Sequence, residues 1–271
     1  MSENGWTADR IDTRNPHPAR VYDCILGGKD YYPPDKEAAD AMVDVWPAIV
    51  PHMRENRKFM HRVTRFLAQE AGIRQFLDIG TGIPTRPNVH EVAQSITPRS
   101  RVVYVDNDPI VLTLSEGLSS STPEGRTEYI EADMRDPAAI LASAQFAETI
   151  DLSQPVGLTI IAMVHLVMDD ADPVGIVRRL LDPLPSGSYL AMSIGTADFA
   201  PEEVGRVGRE YAARGMPMRL RTLAEARPYF EGVELVDPGI VQVHRWRPDG
   251  DVDPAVTDDQ IAMYGAVARK P

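Results

Sequence analysis

The chain has 271 residues, of which 43% are hydrophobic, and its formal net charge is −12. This length suits one α/β domain with a modest extension, and no stretch reaches the roughly 18 consecutive apolar residues of a membrane span. The acidic balance argues against a nucleic-acid partner, because phosphate contacts need a concentrated positive surface. The only cysteine is Cys24, and the N-terminus lacks a basic start followed by an apolar run, so we expect a cytoplasmic protein.

The N-terminal part of the chain is predicted to be an arm followed by helices. Residues 1–18 are polar and close with Asn15-Pro16-His17-Pro18, which is typical of a flexible arm. Residues 19–74 are predicted to form a helical extension. Within it, Lys36 to Val45 is rich in alanine and acidic residues, Pro47 and Pro51 are expected to break the helix, and His52 to Ala71 has apolar residues at helical spacing opposite a basic face.

The segment Gly27-Gly28-Lys29-Asp30 interrupts this helical region. It is not a phosphate loop, because it lacks a preceding strand and a Ser or Thr after the lysine. One interpretation is a tight turn between two helices. We favour a lid over a bound ligand, because an apolar stripe at helical spacing leads from Val21 to Leu26 into the glycines. Tyr22 and Tyr32 would then supply aromatic faces, which attract cations.

A short apolar strand carries Asp78 and runs directly into Gly80-Thr81-Gly82. Parallel sheets have such a turn where backbone approaches a ligand, because side chains at the glycines would fill that space. A dinucleotide-binding fold has a third glycine that opens into a helix facing the pyrophosphate. That glycine is missing here. The first helix start is Asn88, with Glu91 completing a capping-box pattern, so the loop is predicted to be long.

Two further apolar strands each end in a carboxylate. The first ends in Asp106-Asn107 and the second in Asp133-Met134. Because the carboxyl ends of parallel strands meet at one edge of a sheet, these residues and Asp78 are expected to line one site. Each carboxylate also has a structural interpretation. Asp106 and Asp133 could be turn residues, and Asp78 could brace the glycine loop.

The alternation of strands and helices continues to the end of the chain. The predicted strands are 156–164, 189–194, 233–236 and 261–268, and the predicted helices are 172–184 and 199–215. His165 follows the first of these strands, where it is either a general base for an acceptor or a structural residue. No metal is predicted. The histidines and Cys24 show no zinc spacing, and the run from Asp249 departs from a calcium loop at Pro254 and Gln260.

Three motifs are similar to the first three motifs of class I S-adenosylmethionine (SAM)-dependent methyltransferases: Leu77 to Gly82, Val105-Asp106, and Ala132-Asp133-Met134. More narrowly, the chain from about Ala19 resembles an actinobacterial family of SAM methyltransferases once described as a domain of unknown function. The segments that carry this resemblance are Arg20 to Asp30, Gly82 to Thr85 with Asn88 to Glu91, and Val103 to Pro109. It implies an α/β fold with a doubly wound Rossmann-like sheet of seven strands, the last antiparallel, and an N-terminal helical lid.

The resemblance implies that residues 75–271 form a SAM-binding domain and that SAM is the cofactor. The expected cofactor-binding residues are Tyr22, Gly27, Gly28, Lys29, Tyr32, Asp78, Gly80, Thr81, Gly82, Thr85, Asp106, Asn107, Asp133 and Met134. In this interpretation Asp106 binds the ribose, Asp133 binds the adenine amine, and His165 is the candidate catalytic base.

We expect methyl transfer to a small-molecule acceptor at oxygen, nitrogen or carbon. The protein would align the acceptor with the methyl group and exclude water, which requires no strong nucleophile motif. Two alternatives stay open. One is a SAM-binding sensor or partner without turnover, and the other is an NAD(P)-dependent oxidoreductase, which the missing third glycine disfavours. The sequence also leaves the oligomeric state open, with a homodimer as one alternative.

Overall fold

The computed structural model describes residues 11–118, 121–250 and 254–271. Residues 1–10, which make up most of the predicted arm, therefore lie outside the described residues. The same holds for residues 251–253, which belong to the run from Asp249. Across the three described ranges, no helix is long and apolar enough to cross a bilayer.

Eight strands form one sheet in the described part of the chain, in the order β3-β2-β1-β4-β5-β8-β6, with β7 also paired to β8. Strands β1 to β5 are parallel, whereas β8 is antiparallel to β5, β6 and β7. The strands are β1 Gln75–Ile79, β2 Arg101–Asp106, β3 Arg126–Glu131, β4 Gly157–Ile161, β5 Tyr189–Gly195, β6 Glu234–Leu235, β7 Val241–Gln242 and β8 Met263–Arg269.

This architecture confirms the predicted doubly wound α/β fold with an antiparallel end. The sheet has one strand more than the seven expected, because β7 was not predicted. Its two residues, Val241 and Gln242, are too few to produce an alternating pattern in the sequence.

Ten α-helices surround this sheet within the described ranges. They are α1 Pro18–Leu26, α2 Pro33–Val45, α3 Ile49–Gln69, α4 Val89–Ile96, α5 Pro109–Leu118, α6 Pro137–Leu141, α7 Ala144–Thr149, α8 Pro173–Leu181, α9 Pro201–Ala213 and α10 Leu223–Ala226. Pro51, which was expected to break a helix, lies in the first turn of α3. Proline is tolerated there because the first N–H groups of a helix have no partner within it.

Three large apolar clusters hold these layers together in the described part of the chain. One covers the sheet face packed against α8 and includes Leu77 and Leu180. The second covers the opposite face, where Phe59 and Leu67 of α3 pack on the sheet. The third, called here the N-terminal cluster, joins α1, α2 and the start of α3 to α9, and Val21 belongs to it. The N-terminal helices are therefore packed against the rest of the domain.

Buried ionic contacts fix α1 in place. Arg20 Nε lies 3.0 Å from Asp108 Oδ2, and its Nη1 lies 3.4 Å from Asp35 Oδ2. His17 Nδ1 lies 3.1 Å from Asp108 Oδ2, and Arg20 Nη1 donates to Asp12 O at 2.9 Å. Asp12 and His17 of the predicted arm thus contact the body of the protein.

Candidate functional site

A cavity of about 630 Å³ lies at the carboxyl ends of β1, β2 and β4. Small-molecule sites have volumes of roughly 300–1,000 Å³. Its wall is formed on one side by the glycine loop and the strand ends, and on the other by α1, α3, α9 and the segment from Gly215 to Leu220. The topology explains this position, because ligands of open α/β sheets bind outside the carboxyl ends of the strands.

The glycine loop has a left-handed backbone conformation that glycine adopts without strain. Gly80 and Gly82 have φ angles of +72° and +67°, and a Cβ at Gly80 would overlap the side chain of Met163. The N–H groups of Gly80 and Thr81 both donate to Val105 O, at 2.8 and 3.1 Å. These donors are engaged with β2, so they do not form a phosphate cradle.

Asp106 ends β2 and is almost fully buried at the cavity wall. Its Oδ2 accepts from Gly82 N at 2.8 Å and its Oδ1 accepts from Asp108 N at 2.9 Å. Burial raises the pKa of this carboxyl group, and these two N–H donors partly offset the effect. Since a carboxylate oxygen can accept two hydrogen bonds, each oxygen keeps one free acceptor position.

Asp78 lies inside β1 and is also buried at the wall. Its oxygens accept from the hydroxyl groups of Thr159 and Thr81, so it braces the glycine loop through a side chain. Burial raises the pKa of Asp78, opposed by these hydroxyl donors. Within the described residues, neither Asp78 nor Asp106 has a lysine, arginine or histidine at ion-pair distance. This pair of carboxylates therefore favours a cationic ligand.

Asn56 and Arg57 on α3 bring buried polar atoms without partners to the same cavity. Among the residues that the structure describes, Asn56 Oδ1 and Arg57 Nε find no hydrogen-bond partner. The Arg57 guanidinium donates to the carbonyl groups of Thr85 and Pro87, and no carboxylate of the described chain lies at ion-pair distance from it. Burial lowers the pKa of Arg57. An anionic ligand group beside it would compensate a buried charge.

Asp133 is more exposed and already paired. Its carboxylate accepts from Arg135 Nε at 3.0 Å and from Arg135 N at 2.8 Å. The hydrogen bond from the Arg135 side chain lowers the pKa of Asp133. Met134 beside it is buried and lines the cavity, as does Asn107.

His165 lies in a short helical turn after β4 and lines the cavity. Its Nδ1 accepts from Gly195 N at 3.3 Å. Burial lowers the pKa of His165 to about 4, with the nearby Arg221 contributing. The imidazole is thus neutral at neutral pH, and its acceptor nitrogen is occupied by the backbone of β5.

The structure brings eleven of the fifteen predicted site residues to the cavity wall: Tyr22, Asp78, Gly80, Thr81, Gly82, Thr85, Asp106, Asn107, Asp133, Met134 and His165. It does not bring Gly27, Gly28, Lys29 and Tyr32 there. Gly27 ends α1 with a φ of +86°, and a Cβ at Gly28 would overlap the Asp23 carboxylate. Lys29 is exposed. Tyr32 precedes α2, and its ring lies 5.5 Å from the Arg20 guanidinium carbon.

Among the cavity residues that the sequence did not indicate as site residues are His52, Asn56, Arg57 and Tyr211. Asn56 and Arg57 lie three and four positions after Met53, which places all three on one face of α3. This polar pair within an apolar stripe was the available signal. The sequence pattern places the arginines of this helix on a basic face opposite the apolar residues.

Comparisons with known proteins agree with this geometry. A family model described as S-adenosyl methyltransferase matches residues 4–271. A solved structure from Streptomyces avermitilis, described as a DUF574 family protein, is 70% identical with a TM-score of 0.95, and the alignment covers 97% of this chain and 100% of that one. A candidate methyltransferase from Thermobifida fusca is 39% identical with a TM-score of 0.87, covering 96% of each chain. None of the curated proteins matches the sequence.

The Rossmann-like sheet, the glycine loop and the carboxylates at the strand ends define a SAM-dependent methyltransferase. The chain belongs to the S-adenosyl methyltransferase family, which confirms the resemblance seen in the sequence. Its cofactor is SAM. The cavity fits this molecule, since its wall holds two buried carboxylates, which can face cations or hydrogen-bond donors, and a buried arginine without a carboxylate partner in the described residues.

Proposed function

We propose that this protein transfers the methyl group of SAM to a small-molecule acceptor bound in the same cavity. The observation that carries this proposal is that two groups of residues of different chemistry line one cavity. We call these groups the polar lobe and the apolar lobe. The polar lobe is formed by the glycine loop, Asp78, Asp106 and Arg57. The apolar lobe is lined by Trp46, Ile49, Val204, Val207, Tyr211 and Met216. A cofactor in the first lobe would leave the second for an acceptor.

The charges of the polar lobe support specific roles for its residues. Asp106 would accept hydrogen bonds from the ribose hydroxyls with its free acceptor positions. Asp78 would face the methionine ammonium, and Arg57 would bind the methionine carboxylate. Asp133 would accept from the adenine amine, using only the positions that Arg135 leaves open.

When bound, SAM supplies a methyl carbon that an acceptor lone pair attacks while the carbon–sulfur bond pair stays on sulfur. The residues of the cavity then position the acceptor and exclude water. His165 is poorly suited as the base, because its Nδ1 is occupied by Gly195 N and its pKa is lowered to about 4. A proton released by the acceptor would pass to solvent.

The N-terminal helices, residues 19–74, would act as the lid of residues 75–271. His17, Ala19 and Tyr22 line the cavity from the α1 side, which supports this role. Tyr22 is fixed there, because its hydroxyl donates to Met53 O at 3.0 Å and accepts from Asn56 Nδ2 at 3.1 Å. Gly27 and Gly28 would contribute as the turn that ends α1.

Incubation with methyl-labelled SAM and a library of small hydroxyl, amine and carbon acceptors tests the proposal. We expect label in a small molecule, and less transfer by the D106A variant at a SAM concentration that does not saturate it. Binding of S-adenosylhomocysteine (SAH), the demethylated product, without label in any library member would instead favour a binding protein without turnover. Binding of NAD would favour the oxidoreductase alternative, which the engaged N–H groups of Gly80 and Thr81 oppose.

A further inference from the structure

The apolar lobe is built by four segments of the chain. They are the junction of α2 and α3 from Trp46 to Met53, α9 from Val204 to Tyr211, the segment from Gly215 to Leu220, and Ala262-Met263 before and at the start of β8. The residues that these described segments contribute to the wall are all uncharged. Charged wall residues come from elsewhere, chiefly the strand ends. A ligand of this lobe therefore meets an apolar surface without a counter-ion.

Two buried histidines lie at this apolar surface, His52 within its first segment and His165 against Gly195, the neighbour of Met263 in the sheet. His52 and His165 are 8% and 9% exposed, and both line the cavity. His52 Nδ1 accepts from Ala262 N at 3.2 Å, and His165 Nδ1 accepts from Gly195 N at 3.3 Å. The two anchor points are neighbours, since Gly195 pairs with Met263 across β5 and β8.

These anchors determine which atom of each ring is free. A nitrogen that accepts a backbone N–H carries no proton, so the neutral imidazole has its proton on Nε2. Burial lowers the pKa of His52 to about 3 and that of His165 to about 4, so both rings are neutral at neutral pH. Neither Nε2 has a hydrogen-bond partner in the described structure. Each is a free N–H donor in an apolar lobe.

The surroundings hold the two rings in position. Trp46 packs against His52 with ring centroids 5.3 Å apart. A Cβ at Gly195 would lie 3.0 Å from His165 Cγ, so the absence of a side chain there lets the ring lie close to β5. Arg219 N donates to His165 O at 2.8 Å, which fixes the wall segment ending at Leu220 over the histidine.

We infer that the apolar lobe selects an uncharged, largely apolar ring compound whose hydroxyl or carbonyl oxygen accepts hydrogen bonds from Nε2 of His52 and His165. This inference rests on the proposed function, because the ring compound would be the acceptor of the proposed methyl transfer. The geometry alone defines the ligand chemistry. An apolar ring would fill the space between Trp46, Val207 and Tyr211, and its oxygen would pair with two N–H donors that have no partner in the described structure.

The test uses 2-naphthol as the probe, titrated into the full chain by calorimetry without cofactor. Three compounds with the same ring system serve as comparisons. Naphthalene has no oxygen, 2-naphthoate carries a negative charge, and 2-naphthylmethylammonium carries a positive charge. We expect 2-naphthol to bind at least about tenfold more tightly than either ion. Equal or tighter binding of an ion, or no binding of 2-naphthol, would overturn the inference.

Matched variants test the two donors. In H165N the Asn Oδ1 can still accept from Gly195 N, but the Nε2–H donor is gone, whereas in H165Q an amide N–H reaches that position. H52N and H52Q form the corresponding pair. Each Asn variant should weaken 2-naphthol binding by about three- to tenfold and leave naphthalene binding unchanged, and each Gln variant should restore most of the loss. Asn variants that bind 2-naphthol as the unaltered protein does would contradict the assignment.

A separate SAH titration keeps the two proposals distinguishable. Loss of the 2-naphthol preference with intact SAH binding would refute the acceptor class alone. A protein that selects 2-naphthol but fails to bind SAH would refute the proposed methyl transfer and leave the ligand chemistry of the lobe in place.

Discussion

Arg20 and Asp108 form a buried ion pair, with Arg20 Nε 3.0 Å from Asp108 Oδ2 across 88 positions of the chain. Their side chains are 4% and 2% exposed. Asp108 also donates its backbone N–H to Oδ1 of Asp106 at 2.9 Å. The contact that fastens α1 to the domain therefore also positions the carboxylate assigned to the ribose.

Removal of this arginine should destabilise the fold. R20M leaves Asp108 and Asp35 without their buried cation, which typically costs about 3–5 kcal/mol. Urea denaturation measures the loss. R14M is the control, because the Arg14 side chain is 90% exposed and its loss should change the free energy of unfolding by less than about 0.5 kcal/mol. An R20M protein as stable as R14M would show that the ion pair does not hold α1.

Arg57 should contribute to the affinity for the methionine part of the cofactor. R57A removes the buried cation proposed to bind the carboxylate and should weaken SAH binding by more than about tenfold. Calorimetry with 5′-methylthioadenosine supplies the control, because this ligand keeps the adenosine but lacks the amino acid. Its affinity should change by less than about threefold. Equal losses for both ligands would mean that R57A acts by distorting the loop at Thr85.

The two cavity histidines should make stability fall in acid. Their pKa values are lowered by burial to about 3 for His52 and about 4 for His165, whereas an unfolded chain takes up protons near pH 6.5. The stabilisation is therefore complete above about pH 6.5 and is lost as the pH falls toward the folded pKa values.

The H52N/H165N double variant isolates this effect. Two protons taken up on unfolding give a slope of at most about 2.7 kcal/mol per pH unit between roughly pH 6 and pH 4.5. Urea denaturation across this range should show a shallower slope for the double variant. Other groups, such as Asp78 and Asp106 with their raised pKa values, titrate in both proteins and cancel in the difference. Identical slopes would show that the rings titrate normally.

The α1 helix should gain protection when the cofactor binds, if it is a lid. Hydrogen exchange with and without SAH measures this, and we expect slower exchange from Arg20 to Leu26. Helix α7, Ala144–Thr149, contributes no residue to the cavity wall and is the internal comparison. Deletion through Pro34 should weaken SAH binding severely. Full SAH affinity in that deletion would exclude the lid.

The fold and the carboxylates of the cavity wall could be predicted because their signals are local. Asp78, Gly80 and Asp106 lie at the ends of apolar strands, and the order of strands in a doubly wound sheet brings such ends together. The Asn88 helix start was equally local, and the capping box with Glu91 is present.

The rest of the site depends on long-range packing. His52 meets Ala262 across 210 positions, and Arg57 reaches the loop at Pro87, so no spacing in the sequence reports either contact. Whether His165 can act as a base depends on the Gly195 N–H, which donates to its Nδ1. The sequence does not show this contact, because it forms only in the folded chain. Gly27 and Gly28 were predicted to bind the cofactor because they form a motif. They lie instead at the end of α1 beside Asp23, away from the cavity wall.

The central claim about the site is that the buried carboxylate of Asp106 binds the cofactor. A calorimetric titration of SAH into the unaltered protein and into D106A tests it directly. We predict one-to-one binding of SAH, weakened at least about tenfold by D106A through the loss of one or two hydrogen bonds to a charged group, each worth about 1.5–3 kcal/mol. A folded D106A protein that binds SAH as tightly as the unaltered chain would contradict the account.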